Sequence, residues 1–161
     1  MTTALTLDNF LPYRLSYTAN LVSDVVARSY DALFGLKIPE WRLVAIAAEA
    51  DGVTQQAISA RSRMDKVTVS RAAIALVERG LLERVANPAD KRSHLLVLTP
   101  AGRDLYAKVA PRAIKLERSL FVDFDPAELD RFMATLRRID AAALELEAGI
   151  IAAESADQQA L

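Results

Sequence analysis

The hydrophobic pattern of this chain changes its period at Gly80 and changes back at Thr99. Up to Gly80 the apolar residues recur every three or four positions, as they do in helices with one buried face. Between the two points lie two short apolar runs, 81–85 and 95–98, which are separated by the turn-forming stretch 87–90. Two short runs around a turn predict a β-hairpin. The chain is therefore predicted to be mainly α-helical, with one small hairpin between helices.

Capping and helix-breaking residues divide the first half of the chain. The apolar stripe over 11–33 predicts a long first helix, which Gly35 ends. Pro39 suits the first turn of the next helix. Thr54 and Asp65 are good N-caps for two further helices, a short one and a longer one that ends where the period changes. A short helix followed closely by a second helix is typical of a helix-turn-helix.

Two more helices are predicted after the hairpin. Thr99 begins the first of them, with a proline at its first helical position, and Pro111 is expected to kink it. Asp125 begins the second, whose apolar stripe continues over 129–150. The last stretch, 155–161, has no packing pattern and is predicted to fray.

The charges are unevenly distributed along the chain. The 161 residues include 20 Lys and Arg against 21 Asp and Glu, a net charge of −1. The segment 54–94, which holds the predicted helix-turn-helix and hairpin, has eight basic residues and four acidic ones. An excess of this size also occurs as ordinary surface scatter. Combined with the order of the elements, it predicts a surface for a polyanion such as nucleic acid.

Several classes of function are disfavoured by what the sequence lacks. There is no cysteine, which excludes disulfides, thiolate metal sites and thiol redox switches. The one histidine, His94, has no second ligand or base near it, and the five glycines do not form a phosphate loop. We therefore expect no catalytic residue, metal or cofactor, and hence no enzyme. The longest uncharged stretch is ten residues, 93–102, which predicts no membrane span; with no signal-like leader, we expect a cytoplasmic protein.

Three stretches of the sequence are similar to one known family. They are DKVTVSR at 65–71, LVERGLLER at 76–84, and NPADKRS at 87–93 followed by LTPAG at 98–102. Together they resemble the MarR family of transcriptional regulators. The third stretch is the most specific, because a bare helix-turn-helix pattern is weak evidence.

The resemblance implies a winged helix-turn-helix flanked by N- and C-terminal dimerisation helices. The domains implied are 1–38 for the first dimerisation helix, 39–100 for the DNA-binding domain and 101–161 for the C-terminal dimerisation helices. It also implies a homodimer on a pseudo-palindromic operator, usually as a repressor. A second apolar stripe on the first helix agrees with a dimer, although such helices can also close a monomer core.

The predicted DNA contacts lie on the second helix of the helix-turn-helix and on the tip of the hairpin. Hydroxyls and a guanidinium at the start of that helix can reach base edges in the major groove. In the family, the arginine at the position of Arg92 reaches the minor groove and the aspartate matching Asp90 supports it. Val69 is left open between the core and a thymine methyl. The predicted DNA-binding residues are Gln55, Lys66, Thr68, Val69, Ser70, Arg71, Asp90, Lys91, Arg92 and Ser93.

An effector site is a further implication, because many MarR relatives bind phenolic or aromatic acids. Tyr13 and Tyr17 are one helical turn apart, and Arg14 beside them can take a carboxylate. Trp41 and Arg42 are predicted to form the facing wall. The partner would be a small aromatic or phenolic acid or its coenzyme A thioester. The alternative is that these aromatic residues only pack the core and the dimer interface.

One rival function remains open at this point. A winged helix can serve protein contacts, or bind double-stranded RNA or nucleic acids in general, without any small effector. Binding to single strands is disfavoured, since no aromatic residue lies between positions 42 and 105 to stack on bases.

Overall fold

A computed structural model describes residues 5–159, with only the backbone described over 155–159. After a 3₁₀ turn (Leu7–Asn9) the elements are α1 (Leu11–Phe34), α2 (Ile38–Ala48), α3 (Gln55–Ser62), α4 (Lys66–Glu78), β1 (Leu82–Ala86), β2 (His94–Leu98), α5 (Pro100–Leu120) and α6 (Pro126–Gln159). The prediction of a mainly helical chain with one hairpin is confirmed. The chain forms two compact units, divided between Glu117 and Arg118.

The predicted ends of the helices are set by local hydrogen bonds. Thr54 caps α3, its Oγ1 accepting the N–H of Ala57 at 3.1 Å. Asp125 caps α6, its Oδ1 accepting the N–H of Ala127 at 2.8 Å. Gly35 ends α1 in the left-handed conformation, with φ at 57°, which glycine adopts without steric cost.

The prediction of a frayed end from Ser155 was wrong for most of its length. The helix α6 continues to Gln159; Ala160 and Leu161 lie outside the described residues. The reason is composition: after Gly149 the sequence has no glycine or proline, and it has four alanines and two glutamines, which are strong helix formers. The helix α5 runs from Pro100 to Leu120 with Pro111 inside it, and the kink expected at this proline stays a prediction.

The hairpin is a two-stranded antiparallel sheet whose base is anchored in the core. Its register pairs Leu82 with Leu98 at the base and Ala86 with His94 toward the tip. Leu82, Leu96 and Leu98 are buried. Val53, just before α3, forms an additional bridge with Leu96. The hairpin, which forms the wing of the winged helix-turn-helix, is therefore held directly against its helices.

The core lies in the first unit and joins the end of α1, the helices α2, α3 and α4, the hairpin and the first half of α5. Its fully buried large side chains include Leu36, Leu43, Ile58, Leu76 and Val109. The second unit differs: over residues 126–154 no side chain of α6 is buried. None of the helices, over the part of the chain that is described, is long and apolar enough to cross a membrane.

An ion pair between the buried carboxylate of Glu40 and the exposed guanidinium of Arg79 joins α1, α2 and α4. Glu40 is 8% exposed, and its carboxylate accepts the backbone N–H of Lys37 at 2.9 Å and the Nη1 of Arg79 at 3.4 Å. The same guanidinium donates to the carbonyl oxygens of Gly35 at 3.0 Å and Phe34 at 3.4 Å. These bonds complement the negative end of the α1 dipole. The carboxyl end of α4 is thereby tied to the carboxyl end of α1.

The start of α5 is packed against the turn that precedes the hairpin. Thr99 Oγ1 donates to the carbonyl of Gly80 at 2.6 Å and accepts the N–H of Gly102 at 3.0 Å. At Gly102 a Cβ atom would lie 2.0 Å from the carbonyl oxygen of Leu81. This close backbone approach explains why the sequence has glycine three residues after the capping threonine.

Candidate nucleic-acid interface

The helices α3 and α4 are joined by a tight turn whose backbone is fixed by side chains. Arg63 has a left-handed backbone, with φ at 55°, and the Oγ of Ser59 donates to the carbonyl of Met64 at 2.5 Å. On the inner side Ile58 is 0% exposed and Val69 is 1% exposed. The pair is a helix-turn-helix, as the sequence predicts, and α4 takes the place of its recognition helix.

The first turn of α4 is held by Asp65. One carboxylate oxygen accepts the backbone N–H of Thr68 at 2.8 Å, and the other accepts the Thr68 hydroxyl at 2.6 Å. The hydroxyl bond first, and then the backbone bonds, lower the pKa of Asp65 below its usual 3.8. Thr68 was predicted to read bases. Because its proton is engaged with Asp65, its hydroxyl is left to accept a hydrogen bond from DNA.

The outer face of α4 is partly as predicted. Lys66 and Arg71 are exposed and Ser70 is half-buried. Val69 requires a correction: with 1% exposure it belongs to the core and cannot contact a base. The exposed valine is Val67, at 56%, which the sequence analysis passed over. Helix phase relative to Asp65 could have distinguished the two, because Ala72, Ala73 and Leu76 share the inner side with Val69.

At the tip of the wing, Asp90 acts on the backbone. Its Oδ1 accepts the backbone N–H of Arg92 at 3.0 Å, and its carbonyl accepts the N–H of Ser93 at 3.0 Å. Ser93 also accepts a hydrogen bond from the Asn87 amide at 2.8 Å. The support that Asp90 is expected to give Arg92 therefore reaches the backbone N–H of Arg92. The turn shapes the loop, and the side chains of Lys91 and Arg92 remain exposed.

A polar cleft of about 340 Å³ separates the wing from the start of α3. Its walls include Gln55 and Arg92, both predicted to contact DNA, and Arg84 and His94, which were not predicted to do so. The strand period could have identified them. Since alternate residues share one face of the hairpin, Arg84 and His94 lie on the same face as the buried Leu82. The cleft brings the guanidinium groups of Arg84 and Arg92 together beside the start of α3.

The aromatic residues predicted to bind an effector fall into two groups. Tyr13 and Tyr17 have ring centroids 6.2 Å apart, and the Cζ of Arg14 lies 5.1 Å from the centroid of Tyr17. Trp41 packs edge-on against Tyr30, with centroids 5.4 Å apart, and stacks on Tyr106 at 5.8 Å. The exposed Arg42 follows Trp41 on α2. Tyr106 was not predicted, because nothing in the sequence relates α5 to α2.

No group of three or more residues able to hold a metal ion occurs within the described range. The polar side chains of the helix-turn-helix and the hairpin tip offer hydrogen bonds and charge. Their arrangement, with a cationic loop beside a helix that presents polar side chains, fits double-stranded nucleic acid.

Comparisons with known proteins agree with this geometry. A model of the MarR family matches residues 34–93. A MarR/EmrR family transcriptional regulator from Acinetobacter sp. ADP1 superimposes with a TM-score of 0.82 at 27% identity, covering 88% of this chain and 99% of that one. An uncharacterized protein of Mycobacterium tuberculosis H37Rv is 34% identical over 99 residues, which are 62% of this chain and 68% of the relative. The chain belongs to the MarR family.

A further MarR-like fold carries a ligand. The structure of CouR from Rhodococcus jostii RHA1, bound to p-coumaroyl-CoA, superimposes with a TM-score of 0.75 at 24% identity and covers 84% of this chain and 95% of that one. As a MarR-family member, the present protein is a DNA-binding transcriptional regulator. The family is one of regulators, not of enzymes. The resemblance seen in the sequence, and the winged fold that it implied, are confirmed.

The capping bond in this MarR-family protein gives a pH-dependent prediction. Since the folded pKa of Asp65 is lowered, the bond stabilises the fold above pH 3.8 and is lost as the pH falls through the folded value. Asp65→Asn, which can still cap but cannot titrate, is expected to show a smaller fall in Tm than the parent between about pH 5 and pH 2. Thermal unfolding followed by circular dichroism checks this. Asp130→Asn, at an exposed aspartate of α6, should change the parent profile less than Asp65→Asn does.

Proposed function

We propose that the protein is a homodimeric repressor that binds a pseudo-palindromic operator and is released by a small aromatic or phenolic acid or its coenzyme A thioester. Residues 39–100 read the DNA, and 1–38 and 101–161 form the dimer. Two observations together support the proposal. The recognition helix has an exposed polar face, and the long flanking helices have exposed apolar side chains.

The flanking helices expose large apolar side chains. On α1 the leucines at positions 11, 21 and 33 are 73%, 51% and 57% exposed. On α6 Leu146 and Ile150, one turn apart, are 70% and 59% exposed. Large contiguous apolar patches generally mark interaction surfaces. A second copy of the chain supplies the same kind of surface, and two-fold dimers are the commonest assembly.

The DNA contacts follow from the described surfaces. The start of α4 enters the major groove, and the tip of the wing lies on phosphates or in the minor groove. A two-fold dimer places two such units about one helical turn apart. The residues proposed to contact or support contact with DNA are Gln55, Lys66, Thr68, Ser70, Arg71, Asp90, Lys91, Arg92 and Ser93.

The proposed effector rests on chemistry and on likeness to CouR. The aromatic surface of Tyr13 and Tyr17 lies beside the guanidinium of Arg14, and Trp41 with Arg42 offers a second aromatic and cationic pair. A planar acid needs an apolar wall and a cation for its carboxylate. CouR, with the same fold, is bound to p-coumaroyl-CoA.

Footprinting on the DNA that flanks the protein's own gene tests the proposal. We expect protection of an inverted repeat of about two helical turns. A thermal-shift screen of aromatic acids and their thioesters should then find a compound that raises Tm, because it binds the native state, and that also releases the operator. Equal binding to every duplex would favour a general nucleic-acid-binding module. Absence of DNA binding would favour a protein-interaction module.

The role proposed for Arg92 gives a quantitative prediction. As a backbone or minor-groove contact, it should strengthen binding to all duplexes. Arg92→Ala is expected to weaken binding across sequences and to reduce the slope of log K against log salt by about one unit per subunit. Fluorescence anisotropy at several salt concentrations measures this slope. Arg28→Ala, at an exposed arginine of α1, should keep the parent slope. Loss of sequence preference with an unchanged slope would show that Arg92 reads bases instead.

A further inference from the structure

The recognition helix α4 presents one apolar side chain near its start. Val67 is the second residue of the helix and is 56% exposed. At 100° per residue it shares its face with Ser70, Arg71 and Ile74. Val69, two positions later, turns inward and is 1% exposed.

The exposed valine contributes little to the folded chain. A β-branched side chain loses rotamer freedom in a helix, and an exposed one gains no burial in return. Asp65 and Thr68 already hold this turn of the helix through the carboxylate, the hydroxyl and the backbone N–H. Val67 therefore has no role in the folded chain that its contacts explain, and its exposed methyl groups are available to a ligand of the recognition helix.

The major groove offers one apolar group to such a side chain. The 5-methyl group of thymine projects into the groove, and small apolar side chains contact it. The first residues of a recognition helix are those that reach the base edges. We propose that Val67 determines operator specificity by packing on a thymine methyl in each half-site. This inference rests on the proposed sequence-specific binding.

Replacement of thymine by deoxyuridine tests the contact at a single atom group, because it removes the methyl and leaves the hydrogen-bonding edge unchanged. Each thymine of the footprinted repeat is replaced in turn, symmetrically in both half-sites. At one or more of these positions, replacing thymine by deoxyuridine should lower the affinity of the parent protein for the operator about fourfold for each methyl contact removed. The Val67→Ala variant should be insensitive to deoxyuridine at that same position.

The control is Ile74→Ala. Ile74 is 44% exposed on the same face but lies two turns further along, about 10.5 Å from Val67. This variant should retain the parent's sensitivity at the position that Val67→Ala loses. Since both side chains are exposed, both variants should keep the Tm of the parent within a few degrees, which thermal unfolding verifies.

The outcomes separate this inference from the proposed function. A parent protein that prefers the repeat over random DNA but is insensitive to deoxyuridine at every thymine would overturn the role of Val67 alone. So would a Val67→Ala variant that keeps the full sensitivity. A parent that binds repeat and random duplex equally would overturn both the specific binding and this contact.

Discussion

Replacing Gly102 with alanine is expected to lower the free energy of unfolding by about 3 kcal/mol. The new Cβ would lie 2.0 Å from the carbonyl oxygen of Leu81 and 3.0 Å from both the Leu81 carbonyl carbon and the Leu98 Cδ2. Two of these three atoms belong to the backbone, so a rotamer change cannot relieve the clash. Either α5 or the turn before the hairpin must move, and the capping bonds of Thr99 are then strained. Urea unfolding at matched protein concentration measures the loss.

Gly149→Ala is the matched control for this substitution. Gly149 lies within α6, and an added Cβ would meet nothing within 4 Å. Because glycine costs about 1 kcal/mol relative to alanine inside a helix, this variant should unfold at the same or a higher urea concentration. Equal destabilisation by both substitutions would show that the approach of α5 to Leu81 is not as tight as described.

Placing charges on the apolar side of α6 is expected to reduce operator affinity by 100-fold or more. The variant is Leu146→Glu combined with Ile150→Glu, at two exposed apolar positions one turn apart. In the proposed dimer both carboxylates would be buried against a second copy, at a large desolvation cost. A separated subunit binds only one half-site. It loses the gain in affinity that comes from joining two DNA-binding units in one dimer, which is typically about 10² to 10⁴-fold. Analytical ultracentrifugation and anisotropy on the same samples measure both effects.

Ala148→Glu provides the control for added charge. Position 148 lies about 160° from both 146 and 150 around the helix, so the charge points away from that side. It should leave both the dimer and the operator affinity close to the parent values. If the double variant remained dimeric at nanomolar concentration, the dimer would have to use a different surface.

The helices and strands could be predicted from the sequence because most of their ends are set by bonds between residues close together in the chain. Caps such as Thr54 and Asp65, and the terminating Gly35, act through bonds to residues within five positions. The DNA-contacting residues were predicted less completely. Which side chains face outward depends on where each residue falls in the repeat of its helix or strand, and this position was not used. Val69 was counted as a contact while Val67 was passed over, and Arg84 was missed although it alternates with a buried leucine. The stack of Tyr106 on Trp41 depends on tertiary packing that local patterns do not encode.

The ion pair between Glu40 and Arg79 has a mechanical consequence for a protein that positions a helix on DNA. One guanidinium is bonded to the last carbonyls of α1 and to the first turn of α2, while its own backbone ends α4. Only residues 35–37 connect α1 to α2, and the N–H of Lys37 is bonded to the same carboxylate. These bonds tie the end of α1 to the first turn of α2 and to the end of α4. We therefore expect a tilt of the long first helix to move the recognition helix with it.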